Sequence, residues 1–141
     1  KAYLLQAWEK LDHAPEEAIQ DFKAFVVKNP QDPAGYFLQG YALFSLERRK
    51  EAIDCFELAL ELDPKCIDSH LQNGLALYEL GDYERALESY NRILELQPSH
   101  IDALANRSCA LEKLEKYEEA VEACDKGLNI DPSHALLHYN K

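Results

Sequence analysis

The chain has 141 residues, a formal net charge of −11 and a hydrophobic fraction of 47%. This length suits one domain, and the apolar content argues against disorder. The acidic excess disfavours nucleic acid as a partner, because binding phosphates depends on Lys and Arg. No apolar run approaches the roughly 20 residues of a membrane-spanning helix. Since the chain contains neither methionine nor a visible signal peptide, we interpret it as a fragment of a longer protein.

Helical periodicity and proline positions predict antiparallel helix pairs along the whole chain. In chain order, we expect helices at 1–11 with 15–28, 33–46 with 49–62, 67–80 with 83–96, and 101–114 with 117–130. We predict that residues 134–141 form the first helix of a further, truncated unit. The units are therefore about 1–32, 33–66, 67–100 and 101–134, with a partial unit at 135–141, all within one domain covering 1–141.

A repeat of 34 residues accounts for these pairs. Three stretches are alike: RRKEAIDCFELALELDPKC, DYERALESYNRILELQPSH and KYEEAVEACDKGLNIDPSH. Their alanines (Ala52, Ala86, Ala120) and prolines (Pro64, Pro98, Pro132) are each 34 residues apart, a period typical of two-helix solenoid units. Each proline ends its unit, because it lacks an N–H and disfavours helix before it. Gly81 suits a helix C-terminus and Asp82 an N-cap.

Small residues recur on the first helix of each pair. Gly40, Gly74 and Ser108 occupy equivalent positions, where small side chains let two helices approach closely. We expect them to contact Ala52, Ala86 and Ala120 on the second helices. The bulkier residues Leu43, Leu77, Leu111, Phe56 and Tyr90 are predicted to fill the remaining core.

These residues resemble the tetratricopeptide repeat (TPR) family. The stretch LQNGLALYELGDYERALESYNRILELQP follows the family pattern, with Gly74, Leu77, Ala86, Tyr90 and Pro98 in place. The resemblance implies an all-α, right-handed superhelical solenoid of antiparallel helix pairs, with about four repeats plus a truncated final helix. It covers almost the whole chain and is specific for fold, whereas function must be argued from a site.

Several positions depart from the family pattern. His70 replaces the usual Trp or Tyr, while Gln39, Asn73 and Arg107 stand where Leu is common. The first unit is one residue short in its inter-helix loop, which aligns Trp8 with Leu43.

The helix at 33–46 carries two apolar stripes, although one is enough to face a core. Tyr36, Gly40 and Leu43 form the first stripe, which we assign to the core. In the family, first helices line a concave groove, and the second stripe would lie there. The resemblance places these residues in the groove: Phe37, Leu38, Tyr41, Phe44, Leu71, Gln72, Leu75, Tyr78, Asp102, Asn106 and Cys109.

This groove predicts a protein–protein interaction scaffold. Apolar grooves bind helices or extended segments through hydrophobic anchors, and exposed aromatic clusters are enriched at binding hot spots. Asp102 and other acidic residues favour a peptide or protein partner that also carries some basic residues. The alternative is that the second stripe packs between neighbouring repeats. Under the groove hypothesis, substitution of both Phe37 and Tyr41 by Ser should abolish partner capture and leave helicity intact.

Two other functions stay open. The chain could be a self-association module that forms homo-oligomers. It could also be a docking or regulatory domain of a larger enzyme. The chain itself is not predicted to be an enzyme or to need a cofactor, because it has no glycine-rich phosphate loop, nucleophile elbow or HExxH motif.

Metal and carboxylate sites are not expected either. The four cysteines form no CxxC pair, which favours reduced thiols in a cytoplasmic protein. His134 and His138 are one helical turn apart but lack an evident third ligand. Some TPR co-chaperones bind a chaperone's C-terminal carboxylate with a Lys/Asn/Asn/Lys/Arg set. That set would fall near Phe37, Tyr41, Gln72, Asp102 and Asn106, of which only Asn106 fits, so the required cations are missing.

Overall fold

The computed structural model describes residues 2–133, in which helices alternate with short loops and no strand occurs. The helices are α1 (Ala2–Glu9), α2 (Pro15–Lys28), α3 (Pro33–Ser45), α4 (Arg49–Leu62), α5 (Ile67–Leu80), α6 (Tyr83–Leu96), α7 (Ile101–Lys113) and α8 (Tyr117–Ile130). A 3-10 turn, Lys10–Asp12, follows α1. The four predicted helix pairs are confirmed to within about three residues at each end. The further helix predicted at 134–141 lies outside the described residues.

Helix boundaries follow the local sequence. Asp82 begins α6 as predicted, because its side chain accepts a hydrogen bond from the Arg85 backbone N–H at 3.3 Å. Gly81 ends α5 with φ 93°, a left-handed conformation that glycine adopts without steric cost. Glu47 and Glu115, each 34 residues away from Gly81, take the same conformation with φ 62° and φ 61°. The three helices therefore end with the same backbone geometry, although the left-handed residue is Glu in two units and Gly in one.

The core lies between the two helices of each pair. Leu43, Leu77, Leu111, Phe56 and Tyr90 are all buried, as the repeat predicts. Consecutive helices pack on one another along the chain. Polar contacts also join neighbouring units, including Arg85 to Glu57 at 2.6 Å and Arg107 to Asn91 at 2.8 Å. None of the described helices is both long enough and apolar enough to cross a membrane.

The small residues of the first helices pack closely against the second helices of their pairs. A Cβ added to Gly40 would lie 2.8 Å from the Phe56 ring, and one added to Gly74 would lie 2.6 Å from the Tyr90 ring. In the fourth unit, Ser108 Oγ lies 2.8 Å from Cys124 Sγ. The predicted contacts with the alanines stay predictions. The nearest ring belongs to the residue one helical turn after the alanine, because a large side chain on a helix covers the turn before its own Cα. In the second and third units the glycine therefore faces a large aromatic ring.

The register of the first unit also differs from the prediction. The alignment of Trp8 with Leu43 requires a buried Trp8, but Trp8 is 40% exposed and Ala7 is buried instead. The 3-10 turn after α1 replaces the left-handed cap that closes α3, α5 and α7. Because this loop has a different geometry, the repeat cannot be extended across it by counting residues.

Candidate functional site

The first helices contact one another in order, α3 with α5 and α5 with α7. We call the predicted groove residues on these helices, together with Trp8 of α1 and Ser45 of α3, the groove face. Its N-terminal part is aromatic. The ring of Tyr41 lies 5.2 Å from that of Trp8 and 6.4 Å from that of Phe37, measured between centroids. Such tilted contacts are favourable aromatic geometry. Three rings from α1 and α3 therefore form one cluster.

A cavity of about 220 Å³ opens beside this cluster. It is lined by Tyr41, Phe44 and Ser45 from α3 and by Gln72 from α5. The cavity thus lies between the first helices of two adjacent units, where two rings and two polar side chains meet. The cavity therefore has an apolar wall and a polar rim.

The apolar stripe of the groove face also supports the core. Phe37 lies 5.9 Å from Phe56 between ring centroids, and Phe56 is fully buried. Five residues of the predicted groove are partly buried against the core, namely Phe37, Leu38, Phe44, Leu71 and Tyr78. Leu75 is half-buried as well. The same residues can therefore pack against the core and line a groove. Tyr41 is the aromatic residue of this stripe that packs least against the core.

The C-terminal part of the groove face is polar. Asp102 on α7 is exposed, and Asn106 and Cys109 are half-buried. Tyr78 on α5 packs edge-on against Tyr83, with centroids 5.2 Å apart. Burial, followed by the proximity of Cys109 and Tyr83, raises the pKa of Tyr78. Tyr78 is therefore a neutral phenol at physiological pH.

Trp8 and Ser45 belong to the groove face but were not predicted there. Trp8 was assigned to the core by the one-residue offset of the first unit. Its large ring is exposed and lies close to Tyr41. Predicting this position requires knowing how the 3-10 turn sets the register of α1. Ser45 was missed because a single serine at a helix end carries no sequence signal. Its hydroxyl donates to the Tyr41 carbonyl at 3.0 Å.

Metal ligands and reactive cysteines are the other features to examine in the described part of the chain. Residues 2–133 contain no group of three or more His, Cys, Asp or Glu side chains that could hold a metal ion. His134 and His138 lie outside the described residues. Cys55, Cys66, Cys109 and Cys124 are free cysteines. Burial raises the pKa of the Cys55 thiol to about 11, which makes it a poor nucleophile.

Solved structures resemble this chain along most of its length. MamA residues 41 to the end, from Desulfovibrio magneticus RS-1, is 25% identical with a TM-score of 0.90, covering 98% of this chain and 78% of that chain. YrrB, described as a TPR protein with an unusual peptide-binding site, is 26% identical with a TM-score of 0.83, covering 91% and 66%. The first TPR of Spaghetti (RPAP3), bound to an HSP90 peptide, is 24% identical with a TM-score of 0.74, covering 77% and 86%, and this likeness concerns the fold alone.

Sequence comparisons identify the repeats directly. A tetratricopeptide repeat family model matches residues 33–66, and a second one matches residues 71–135. No match was found among curated protein sequences. The two models, the 34-residue period and the eight helices of residues 2–133 agree on one architecture. The chain belongs to the tetratricopeptide repeat family and folds as an all-α TPR solenoid of about four repeats.

Proposed function

We propose that this TPR domain binds a peptide or helix through its groove face, with an apolar anchor held beside Tyr41. The fold and the similarity to YrrB, a TPR protein with a peptide-binding site, support a protein-interaction scaffold. The observation that carries the proposal is the cavity of about 220 Å³ lined by Tyr41, Phe44, Ser45 and Gln72. A side chain entering there would contact two aromatic rings, which favours aromatic and aliphatic anchors.

The partner's charge follows from the distal part of the groove face. Asp102 is exposed on α7, and the chain as a whole carries a net charge of −11. An acidic surface attracts basic segments and repels acidic ones. We therefore propose a ligand whose apolar anchor is followed, toward α7, by Lys or Arg. The proposed groove residues are those predicted from the sequence, together with Trp8 and Ser45.

The test is selection from a displayed library of random peptides, followed by affinity measurement on purified variants. Selected sequences should carry aromatic or aliphatic anchors together with Lys or Arg. The variant Tyr41→Ala/Gln72→Ala should lose at least tenfold in affinity, because both side chains line the cavity and neither belongs to the buried core. Phe37 is unsuitable for this purpose, since its ring packs on Phe56. Circular dichroism must show unchanged helicity.

Tyr117→Ala is the matched control, because this ring is 58% exposed on α8, distant in sequence from the cavity. It should bind selected peptides as the unmodified chain does. Equal loss in both variants, or no selection of anchored peptides, would refute the groove proposal. Light scattering over a concentration series tests self-association. If the measured mass rises with concentration and falls in the Tyr41→Ala/Gln72→Ala variant, a second copy of the chain occupies the groove instead of a peptide.

A further inference from the structure

A larger cavity lies away from the groove face, among α4, α5 and α6. Its volume is about 480 Å³. It is lined by Glu57, Leu60, Glu61, His70, Asn73, Leu77, Arg85, Glu88, Ser89 and Arg92. Eight of these ten side chains are polar or charged, unlike the aromatic lining beside Tyr41. The chemistry of this cavity is therefore different from that of the proposed peptide groove.

Two departures from the family pattern meet at this cavity. His70 stands where the family uses Trp or Tyr, and Asn73 stands where Leu is common. Both side chains are buried, with exposures of 9% and 5%. His70 Nε2 donates a hydrogen bond to the Pro64 carbonyl at 2.7 Å, because a carbonyl can only accept. Replacing two large apolar residues by smaller polar ones leaves space and adds hydrogen-bonding groups at the same place.

Asn73 supplies an unused acceptor at the wall of the cavity. Its Oδ1 is buried and has no hydrogen-bond partner among residues 2–133. Nearly all buried polar side-chain atoms have a partner, so an unpaired acceptor at a cavity wall is available to a donor that enters the cavity, from a ligand or from water. A leucine at this position would carry no such penalty, and the family shows that leucine fits. Asn73 therefore offers a buried acceptor that leucine would not provide.

The charges of the lining, three Glu and two Arg, favour a cationic ligand. Glu57 is neutralised by Arg85 at 2.6 Å, and Arg92 lies 3.5 Å from Glu95. Glu61 and Glu88 form no ion pair with any described residue. The cavity thus combines two uncompensated carboxylates, an amide acceptor and, from Leu60 and Leu77, an apolar wall. This set matches an aliphatic stem that ends in a cationic hydrogen-bond donor.

We propose that this cavity is a second binding site, which takes an alkylammonium or alkylguanidinium group such as the side chain of Lys or Arg. The cationic head donates to Asn73 Oδ1 and lies near Glu61 and Glu88, while the stem contacts Leu60 and Leu77. The site is independent of the groove face, and it stands whether or not a peptide binds beside Tyr41.

The proposal is tested by NMR titration of the ¹⁵N-labelled 141-residue chain with n-butylammonium and, separately, n-butylguanidinium. n-Butanol and butyrate are matched probes that keep the stem and remove the positive charge. With either or both cations we expect saturable chemical-shift changes at the Asn73 side-chain amide and at the backbone of His70 and Glu88. The cation that binds more tightly identifies the preferred head group. Shifts of the same size with butanol would overturn the proposal by showing that the positive charge plays no part. No saturable shift with any cation would also overturn it and leave water as the occupant.

Three variants make the test specific. Asn73→Leu restores the family residue and should weaken cation binding at least tenfold, and Glu61→Gln/Glu88→Gln should weaken it at least fivefold. The control Gln39→Leu likewise replaces an amide side chain by leucine, at the equivalent position of the preceding unit. It should change the affinity for the cation less than twofold. Unchanged binding in Asn73→Leu contradicts the assignment. If that variant fails to fold, the double Gln variant decides, and unchanged affinity there contradicts it equally.

Discussion

The hydroxyl of Tyr90 offers a direct test of how the repeat core is packed. Tyr90 is fully buried against Gly74, and its oxygen has no hydrogen-bond partner among residues 2–133. Burial raises the pKa of Tyr90, which keeps the phenol neutral. The preceding unit has Phe56 at the equivalent position, equally buried against Gly40. The repeat itself thus shows that a phenyl ring fits this site.

We expect Tyr90→Phe to stabilise the protein. An unpaired buried polar group costs about 1–3 kcal/mol, and removing the oxygen leaves only a small gap. A net gain of about 1 kcal/mol follows, which corresponds to a rise of roughly 4 °C in Tm for a chain of this size. Because the substitution removes one atom from a packed core, the denaturant dependence of unfolding should stay the same.

Urea denaturation followed by circular dichroism measures this gain. Tyr117→Phe is the control, since that side chain is 58% exposed and its hydroxyl is hydrated in both states. Its free energy of unfolding should change by less than about 0.5 kcal/mol. If Tyr90→Phe instead lowered the free energy of unfolding by 1 kcal/mol or more, the hydroxyl would have to form a hydrogen bond in the folded protein, and the argument from the unpaired oxygen would be refuted.

Three other changes test the backbone, the packing and the thiols. Glu47→Gly should raise the free energy of unfolding by about 0.5–1 kcal/mol by relieving a left-handed residue, and Gly81→Ala should lower it by about 1 kcal/mol. If urea denaturation gave changes in the free energy of unfolding with the opposite signs, the assignment of these residues as left-handed caps would be contradicted. Gly74→Ala should cost about 1–2 kcal/mol, because the new Cβ would lie 2.6 Å from the Tyr90 ring. A gain would show that the ring can move. Cys55, with its pKa raised from 9.0 to about 11, should resist iodoacetamide at pH 8 in peptide mass spectrometry, and its contribution to stability should disappear as pH rises from 9 to 11. Rapid labelling of the folded chain at pH 8 would show an accessible thiol.

The sequence was sufficient to predict the fold because the repeat states the same information several times. Pro64 and Pro98 mark unit ends, Gly81 and Asp82 mark a cap, and the structure follows both. The first unit was predicted less well, since the 3-10 turn Lys10–Asp12 has no counterpart in the later loops. Periodicity is informative only where the geometry itself repeats.

Contacts between side chains were harder to predict than helices. The repeat indicated that Gly40 and Gly74 allow close approach, but it did not indicate that the Phe56 and Tyr90 rings would lie nearest to them, because spacing does not give the direction in which a ring extends. The polar cavity could not be predicted at all. His70 and Asn73 were visible as departures from the family pattern, yet whether they fill the space of larger residues or leave it open depends on how α4 and α6 settle around them.

Helix α5 separates the two surfaces that we propose for binding. Gln72 lines the smaller cavity on the groove face, whereas Asn73, the next residue, lines the larger cavity against α4 and α6. Successive side chains on an α-helix diverge by about 100°, so ligands at the two sites would contact different faces of α5, and the two cavities share no lining residue. Their binding free energies should add if α5 stays fixed. We therefore expect saturating n-butylguanidinium to change the affinity for a groove peptide less than twofold, measured by calorimetry. A larger change that disappears in Asn73→Leu would mean that α5 moves between two positions and couples the sites.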